Sequence, residues 1–364
     1  MSPNHVDFEE FLSEGVPLGP MTSLRVGGPA RYFADVSTVD ELRAGVHWAR
    51  TKGMPLFVLG GGSNVVIADE GFGGLVLRNS IKGVKFDAGG DVATIDAGAG
   101  EDWDSLVEMT VEHGWAGFEC LSGIPGRVGA TPVQNVGAYG QETSETLLSV
   151  EAFDLNTGET VQMDRAECEF GYRTSRFKTR DKNRFVITSV RYGLRINGDP
   201  AIKYAELERH LKEKNIASPS LSQTRNAVIE IRRNKSMVID VSDPDSQSAG
   251  SFFVNPVLSS EQFSEARERA SHQGVIVSAM PGYPQRDGNV KVPAAWLIDR
   301  AGIPRGFVLG NAGTSSRHAL AIINRGSANA RDLIELMELI RNRVREVFGV
   351  TLVPEPVFVG FEKQ

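Results

Sequence analysis

Three glycines and two small polar residues, Gly60, Gly61, Gly62, Ser63 and Asn64, follow the apolar run 56–59. A short apolar run of this kind predicts a buried strand. Glycine permits a positive φ and lets another group approach the backbone closely, and successive backbone N–H groups in such a turn can form a concave anion site. The segment therefore predicts either a tight turn or a binding site for a diphosphate.

A Rossmann turn for a nicotinamide dinucleotide is the first interpretation of glycines after a strand. That motif is GxGxxG and opens a helix, whose N-terminus receives the diphosphate. Here β-branched residues follow at 65–67, so a strand follows a strand. A second loop, residues 121–142 (LSGIPGRVGATPVQNVGAYGQE), is also rich in glycine and proline. Two such loops joined by strands can clamp one long diphosphate cofactor.

The elements that position these loops follow from the hydrophobic pattern. A β-α-β unit is predicted from three consecutive elements. They are a strand after the turn 27–29, a helix from the capping box Thr38-x-x-Glu41 to Gly53, and the strand at 56–59. Further strands are predicted at 65–69, 75–79, 92–100, 149–155 and 184–196. Helices are predicted from Trp103 to Gly114, within 204–215, after a possible capping box at 259–262, and in an amphipathic stretch ending at Gly349. The tail 352–360 is predicted as an edge or irregular strand because prolines interrupt it.

Composition limits the classes of function. The 364 residues suffice for two or three domains, and a net charge of −7 argues against a nucleic-acid partner. No apolar run approaches the roughly 18 residues that a membrane span needs, and the acidic N-terminus lacks the features of a signal peptide. Cys120 and Cys168 form no CxxC motif and are expected to be reduced thiols of a cytoplasmic protein. The six scattered histidines predict no metal site.

Six motifs occur in order: GGGSN, LSGIPGRVGATPVQNVGAYG, FGYRTSRFK, AGSFFVNP, VPAAWLID and PEPVFVG. Over residues 21–360 the chain thereby resembles the UDP-N-acetylenolpyruvoylglucosamine reductases, the MurB family of peptidoglycan precursor enzymes, in its type I branch. The resemblance implies an α+β fold with an FAD-binding domain of the vanillyl-alcohol oxidase (PCMH) type in two α/β lobes, and a C-terminal α/β substrate-binding domain. The expected limits are 1–68 for the first lobe, 69–233 for the second with an insert at 198–230, and 234–349 for the substrate-binding domain. The tail 350–364 is expected to return to the FAD domain.

The same resemblance implies noncovalent FAD, since no histidine or cysteine lies in GGGSN to tether it. Both glycine loops and one arginine are expected to hold the cofactor. The implied cofactor-binding residues are Gly60, Gly61, Gly62, Ser63, Asn64, Ile124, Pro125, Gly126, Ala130, Val133, Gly137 and Arg232. Core packing is an alternative explanation for the apolar members, above all Val133.

The implied reaction reduces UDP-N-acetylglucosamine enolpyruvate to UDP-N-acetylmuramate with NADPH as hydride donor. A hydride passes through flavin N5 to C3 of the enolpyruvyl group, and the carboxylate takes up charge as an enediolate, which needs preorganised donors. Arg173 of FGYR and Glu355 of PEP match the family's donors, although a glutamate donates only when protonated. Ser251 of AGSFF matches the family's proton donor to C2. Taken singly, residues of these three types are more often a surface or ion-pair arginine, a solvated glutamate and a turn hydroxyl than members of an active site.

Substrate contacts are implied at Tyr139, Tyr172, Tyr204, Lys235, Asn255 and His318. Tyr204 lies in the insert and matches a tyrosine of the type I branch that folds over the substrate diphosphate. His318 stands where well-known members of the branch have glutamine, and donation to a phosphate or an ordinary structural role both fit. Val353 departs from the acidic residue common before the PE pair, which puts the setting of Glu355 in question.

Two alternatives share some of these features. A sugar or alcohol oxidase would have the two glycine loops without needing the catalytic trio, and a flavin- or nucleotide-binding regulatory module would have lost that chemistry. The expected partners are the nucleotide substrate and NADPH, with no nucleic acid and no membrane insertion, and the expected oligomeric state is a monomer.

Overall fold

The computed structural model describes residues 8–285 and 287–361. Predictions about residues 1–7 and 362–364, including the outer limits of the first lobe and of the tail, lie outside this part of the chain. Two units are present: Met1–Val16, Pro29–Gly62 and Phe72–Asn234 form the first, and Pro17–Gly28, Ser63–Gly71 and Lys235–Gln364 form the second. The domain limits expected from the sequence stay a prediction.

The helices are α1 Val39–Thr51, α2 Trp103–Glu112, α3 Ala205–Glu213, α4 Leu221–Asn234, α5 Ser260–His272, α6 Ala294–Arg300 and α7 Ala330–Phe348. The strands are β1 Ser13–Pro17, β2 Pro29–Val36, β3 Leu56–Leu59, β4 Val65–Ile67, β5 Phe72–Asn79, β6 Val84–Gly89, β7 Val92–Gly98, β8 Trp115–Ala116, β9 Gly137–Ala138, β10 Gln141–Glu142, β11 Leu147–Asp154, β12 Thr160–Asp164, β13 Phe185–Ile196, β14 Val257–Leu258, β15 Tyr283–Pro284, β16 Val290–Lys291, β17 Val308–Leu309, β18 Ala312–Thr314, β19 Ile322–Asn324 and β20 Val357–Val359.

The predicted β-α-β unit is present in the first unit. Its sheet has the order β1-β2-β5-β3, and both β2 and β3 run parallel to β5. Helix α1 starts at Thr38, whose Oγ1 accepts a hydrogen bond from Glu41 N at 3.1 Å. The Glu41 carboxylate accepts from Ser37 N at 2.7 Å, one residue earlier than in a capping box. Leu42 and Val46 then lie buried in one apolar cluster with residues of β5.

A second, antiparallel sheet of the first unit has the order β12-β11-β13-β7-β6, with β8 paired to β13. Alternate residues of β13, among them Val190, Tyr192 and Leu194, are buried, as expected for a sheet with one covered face. Trp103 at the start of α2 packs against Phe118 with ring centroids 4.8 Å apart. This core supports the segment from which the second glycine loop departs.

Helix α4 was not predicted from the sequence. Together with α3 it buries Leu207, Leu211, Val228 and Ile231 in a small cluster that also includes Tyr139. The two helices give the predicted insert an apolar core of its own, which orders it within the first unit.

The second unit is built around α7, the amphipathic helix predicted near the C-terminus. Its buried stripe packs with Phe252 and Phe253 in one apolar cluster. The Asp69 carboxylate accepts from Ala330 N at 2.7 Å and Arg331 N at 3.1 Å, which places a negative charge at the helix N-terminus, where it is favourable. Strand β4, predicted to follow the first glycine loop, pairs in parallel with β20. Within the described residues, no helix is long and apolar enough to cross a membrane.

Candidate functional site

The predicted site residues divide between the two units, and each group has its own local geometry. The first glycine loop supplies Gly60 to Gly62 to the first unit and Ser63 and Asn64 to the second. A Cβ built on Gly61 would lie 2.8 Å from Gly126 Cα, so the backbones of the two glycine loops touch there. A Cβ built on Gly60 meets no described atom within 4 Å, which leaves that side of the loop open to a ligand. Two glycine loops in contact, with one open backbone face, fit the diphosphate cofactor that the sequence predicts.

The second loop is tied to the turn between β7 and α2. Gly126 O accepts from Trp103 N at 3.1 Å, and Gly129 N donates to Ala99 O at 2.9 Å. Ile124 and Val133 are partly buried and pack against the core of the second sheet, as the core-packing alternative expects. Pro125 lies within the anchored stretch, and Ala130 closes a 3₁₀ turn, Val128–Ala130. The backbone of this loop is therefore held in place by the protein itself.

A clamp of charged residues holds Gly123 at the start of this loop. Asp104 Oδ1 accepts from Gly123 N at 2.6 Å, and the guanidinium of Arg232 donates from Nε to Gly123 O at 3.2 Å. Asp104 in turn pairs with Arg225 of α4 through contacts of 2.6 and 3.0 Å. Burial lowers the pKa of Arg232. The sequence analysis named Arg232 as a cofactor residue, which stays a prediction, and did not single out Asp104 and Arg225, because no motif marks them and α4 was not predicted.

Arg173 lies beside Gly137. Its guanidinium donates to the carbonyl oxygen of Gly137 and, at 3.4 Å, to that of Asn135. Arg173 has a φ of +54°, unusual for a non-glycine residue, and its guanidinium lies 5.7 Å from the centre of the Tyr172 ring. The fold thus brings together a predicted catalytic residue, a predicted cofactor residue and a predicted substrate residue.

Two of the predicted substrate tyrosines also meet. The rings of Tyr139 and Tyr204 pack edge to face with centroids 5.5 Å apart. Tyr139 is 9% exposed and Tyr204, at the start of α3, is 47% exposed. Burial raises the pKa of Tyr139 to about 12, and the charge of Arg232 partly offsets this effect. Tyr139 therefore stays protonated at neutral pH and can donate a hydrogen bond.

Ser251 and Glu355 lie on adjacent backbone segments in the second unit. Phe252 N donates to Leu320 O at 2.8 Å, and Glu355 N donates to Phe252 O at 2.9 Å. The hydroxyl of Ser251 lies 3.2 Å from Nε2 of His318. Residues from two distant motifs, together with His318, thereby form one local group.

The second half of the first glycine loop joins this group. Asn64 donates from Nδ2 to the carbonyl oxygen of Glu355 at 3.3 Å, and Ser63 O accepts from Ser23 Oγ at 3.2 Å. Val353 is 62% exposed, so the departure noted there places an apolar side chain in solvent. Its carbonyl oxygen accepts from Val254 N at 3.0 Å, which keeps the segment that carries Glu355 paired.

Asn255 and Lys235 also belong to the second unit. Asn255 Oδ1 accepts from Ala294 N at 2.9 Å, so its side chain caps α6. Lys235 is half-buried directly after α4. The cap gives Asn255 a structural role, and contacts of either residue with a substrate stay predictions.

Comparisons with known proteins agree with the sequence motifs. Residues 243–359 match the family described as UDP-N-acetylenolpyruvoylglucosamine reductase, C-terminal domain, and residues 30–164 match the family described as FAD binding domain. The chain is 46% identical over 350 residues to the UDP-N-acetylenolpyruvoylglucosamine reductase of Thermobifida fusca, covering 96% of this chain and 98% of the relative. The reductase of Streptomyces coelicolor is 45% identical, with 94% and 89% covered.

A solved structure gives the same result. The crystal structure of UDP-N-acetylenolpyruvylglucosamine reductase from Thermus caldophilus matches with a TM-score of 0.64 and 28% identity, covering 96% of this chain and 100% of that one. The α+β fold with an FAD-binding domain, expected from the sequence, is confirmed.

Proposed function

Because the chain belongs to the UDP-N-acetylenolpyruvoylglucosamine reductase family, we propose that it reduces UDP-N-acetylglucosamine enolpyruvate to UDP-N-acetylmuramate with NADPH. The observation that carries this proposal is the 46% identity over 96% of the chain. The local geometry supports it, since Ser251 and Glu355 lie on paired segments and Arg173 lies against the second glycine loop.

The two glycine loops are the proposed cofactor site. The open side of Gly60 admits a ligand to the backbone, and consecutive N–H groups there can bind a diphosphate. The clamp on Gly123 keeps the second loop in place without help from a ligand. The two loops would hold FAD, which would supply the hydride chemistry between NADPH and the enolpyruvyl group.

Three residues have proposed roles in the chemistry. The guanidinium of Arg173 donates hydrogen bonds that stabilise the enediolate forming on the substrate carboxylate. Glu355, in its neutral form, donates a second hydrogen bond to the same oxygens. Ser251 gives its hydroxyl proton to C2 after the hydride has reached C3.

The purified protein offers a direct test. It should carry the visible absorbance of oxidised flavin, lose it on anaerobic addition of NADPH, and regain it when UDP-N-acetylglucosamine enolpyruvate is added. Rapid recovery with oxygen alone, and none with the nucleotide substrate, would favour the oxidase alternative. A protein that is colourless and takes up no FAD would contradict the proposal.

A monomeric state and a cytoplasmic location complete the proposal. Light scattering behind size-exclusion chromatography should give the mass of one chain, 39.5 kDa. Fractionation of the source cells should recover the protein with NADPH-dependent cytoplasmic enzymes.

A further inference from the structure

The contact between Ser251 and His318 gives the proposed proton donor a partner that can itself carry a proton. The two residues are 67 positions apart in sequence, yet Ser251 Oγ lies 3.2 Å from His318 Nε2. Histidine is the side chain whose ordinary pKa lies closest to neutrality. A serine hydroxyl is a weak acid, so its loss of a proton is assisted when a neighbour replaces that proton.

The segment that carries His318 is held by a network of hydrogen bonds to the Asp245 carboxylate and the Ser315 hydroxyl. The Asp245 carboxylate accepts from Ser315 Oγ at 3.0 Å, from Ser316 N at 2.7 Å and from Ser316 Oγ at 2.7 Å. Ser315 Oγ in turn accepts from His318 N at 3.3 Å. Ala321 N donates to His318 O at 3.0 Å, which closes the turn. The backbone of His318 is therefore fixed on both sides, and its ring is presented to Ser251.

We propose that His318, as an imidazolium, returns a proton to Ser251 while Ser251 protonates the substrate. This inference rests on the proposed function. The electron pair of the enediolate forms the new C2–H bond as the Oγ–H bond of Ser251 breaks. The Nε2–H bond of His318 breaks as the Oγ–H bond re-forms, which leaves a neutral imidazole and an intact serine. The imidazole regains its proton from water before the next turnover.

Charged groups lie on the segments next to this pair. Asp245 and Asp243 lie on the polar segment under the His318 turn, and Arg317 pairs with Asp243 at 3.5 Å. Glu355 lies on the segment whose N–H donates to Phe252, next to Ser251. Because only the imidazolium can supply a proton, proton transfer to the substrate is fastest at low pH and slows as His318 loses its charge.

His318→Gln separates this role from a contact with the substrate. Glutamine retains a hydrogen-bond donor near Ser251 but cannot give up a proton. His272→Gln is the matched control, since His272 lies exposed at the end of α5. Each variant is reduced with NADPH without oxygen and then mixed with UDP-N-acetylglucosamine enolpyruvate over a range of pH.

At saturating substrate, His318→Gln should recover flavin absorbance at least about tenfold more slowly than the wild type, since general acid catalysis typically contributes about 10²- to 10⁴-fold. Its rate should also lose the decline with rising pH that the wild type and His272→Gln show. Two results would overturn the proposed proton transfer from His318 to Ser251. One is a His318→Gln rate with the wild-type pH profile. The other is a higher substrate concentration at half-saturation with an unchanged saturated rate.

Two further measurements keep the proposal separate from the proposed function. If His318→Gln does not fold, the wild type alone decides: a saturated rate of substrate reduction that does not change with pH overturns the relay. If Ser251→Ala reduces the substrate as fast as the wild type, the assigned role of Ser251 is wrong, and the proposed proton transfer from His318 to Ser251 is wrong as well. If Ser251→Ala reduces the substrate slowly while His318→Gln does so at the wild-type rate, the result contradicts only the proposed proton transfer from His318 to Ser251.

Discussion

A pair of neighbouring substitutions, Gly60→Ala and Gly61→Ala, separates the contact between the loops from the contact with the cofactor. At Gly61 a Cβ would lie 2.8 Å from Gly126 Cα and 3.1 Å from Gly126 C, both backbone atoms. At Gly60 a Cβ meets no described atom within 4 Å. Neither glycine has a positive φ, so alanine can adopt both backbone conformations.

The expected magnitudes follow from these distances. Ordinary contacts of a Cβ begin near 3.4 Å, so Gly61→Ala must move the loops apart by roughly 0.6 Å, and such overpacking costs about 1–3 kcal/mol. A Gly-to-Ala change also stabilises by about 0.4–1 kcal/mol through the unfolded chain. Gly61→Ala should therefore lower the free energy of unfolding by up to about 2.6 kcal/mol. Gly60→Ala should leave it unchanged or slightly raised in the FAD-free protein.

FAD binding should respond differently. If the open side of Gly60 faces the cofactor, a Cβ there takes up space that the ligand needs, and we expect the Kd for FAD to rise at least about tenfold, equivalent to about 1.4 kcal/mol. Urea denaturation of the FAD-free variants and fluorescence titration with FAD measure the two effects. A Gly60→Ala protein that binds FAD like the wild type would refute the placement of the cofactor, and a Gly61→Ala protein as stable as Gly60→Ala would refute the contact.

Three more outcomes are expected. Arg225→Ala leaves Asp104 without its bidentate partner, so it should lower the free energy of unfolding in urea by about 2 kcal/mol and weaken FAD binding. The control Arg191→Ala breaks an exposed ion pair and should cost less than about 1 kcal/mol. Equal losses in the two variants would contradict the clamp on Gly123. Tyr204→Phe should raise the KM for the nucleotide substrate more than it raises the Kd for FAD, and an unchanged KM would count against the assignment. Burial raises the pKa of the Cys168 thiol to about 12. Alkylation of Cys168 in the folded protein, measured by mass spectrometry, should therefore be at least about 100-fold slower than that of a free cysteine and should accelerate as pH rises. Rapid labelling at neutral pH would show an exposed thiol.

Local structure followed from the sequence where short-range chemistry decides it. The helix after Thr38 and the capping box at Ser259 are present, and the amphipathic helix ends at Gly349 with φ +72°. The strand after the first glycine loop is present as β4, which supports the argument against a Rossmann turn.

Helix α4 escaped prediction for a physical reason. Its buried face includes Arg225 and Arg232 beside Val228 and Ile231, so the apolar periodicity that marks a helix is interrupted by two charges. Those charges are tolerated because Asp104 and the carbonyl oxygen of Gly123 accept their hydrogen bonds. These partners belong to distant segments, so the sequence around α4 does not show that its buried arginines are paired.

The site was predicted only in part for a similar reason. The motifs suggested roles for Ser251, Arg173 and Glu355 one by one, through their resemblance to a family, and these roles stay predictions. The hydrogen bond between Ser251 and His318 and the contact of Gly61 with Gly126 depend on how the chain returns to the same place. The spacing of residues in the sequence does not predict these contacts between distant segments, so only the structure shows them.

The assignment of Ser251 as proton donor is tested most directly by following the two half-reactions of Ser251→Ala separately. Flavin reduction by NADPH is measured first in an anaerobic stopped-flow instrument, and reoxidation by UDP-N-acetylglucosamine enolpyruvate is then measured in a second mixing step. We expect reduction at nearly the wild-type rate and reoxidation slower by about 10²-fold or more, because only the second step needs the proton. Equal slowing of both steps, or reoxidation at the wild-type rate, would contradict the account.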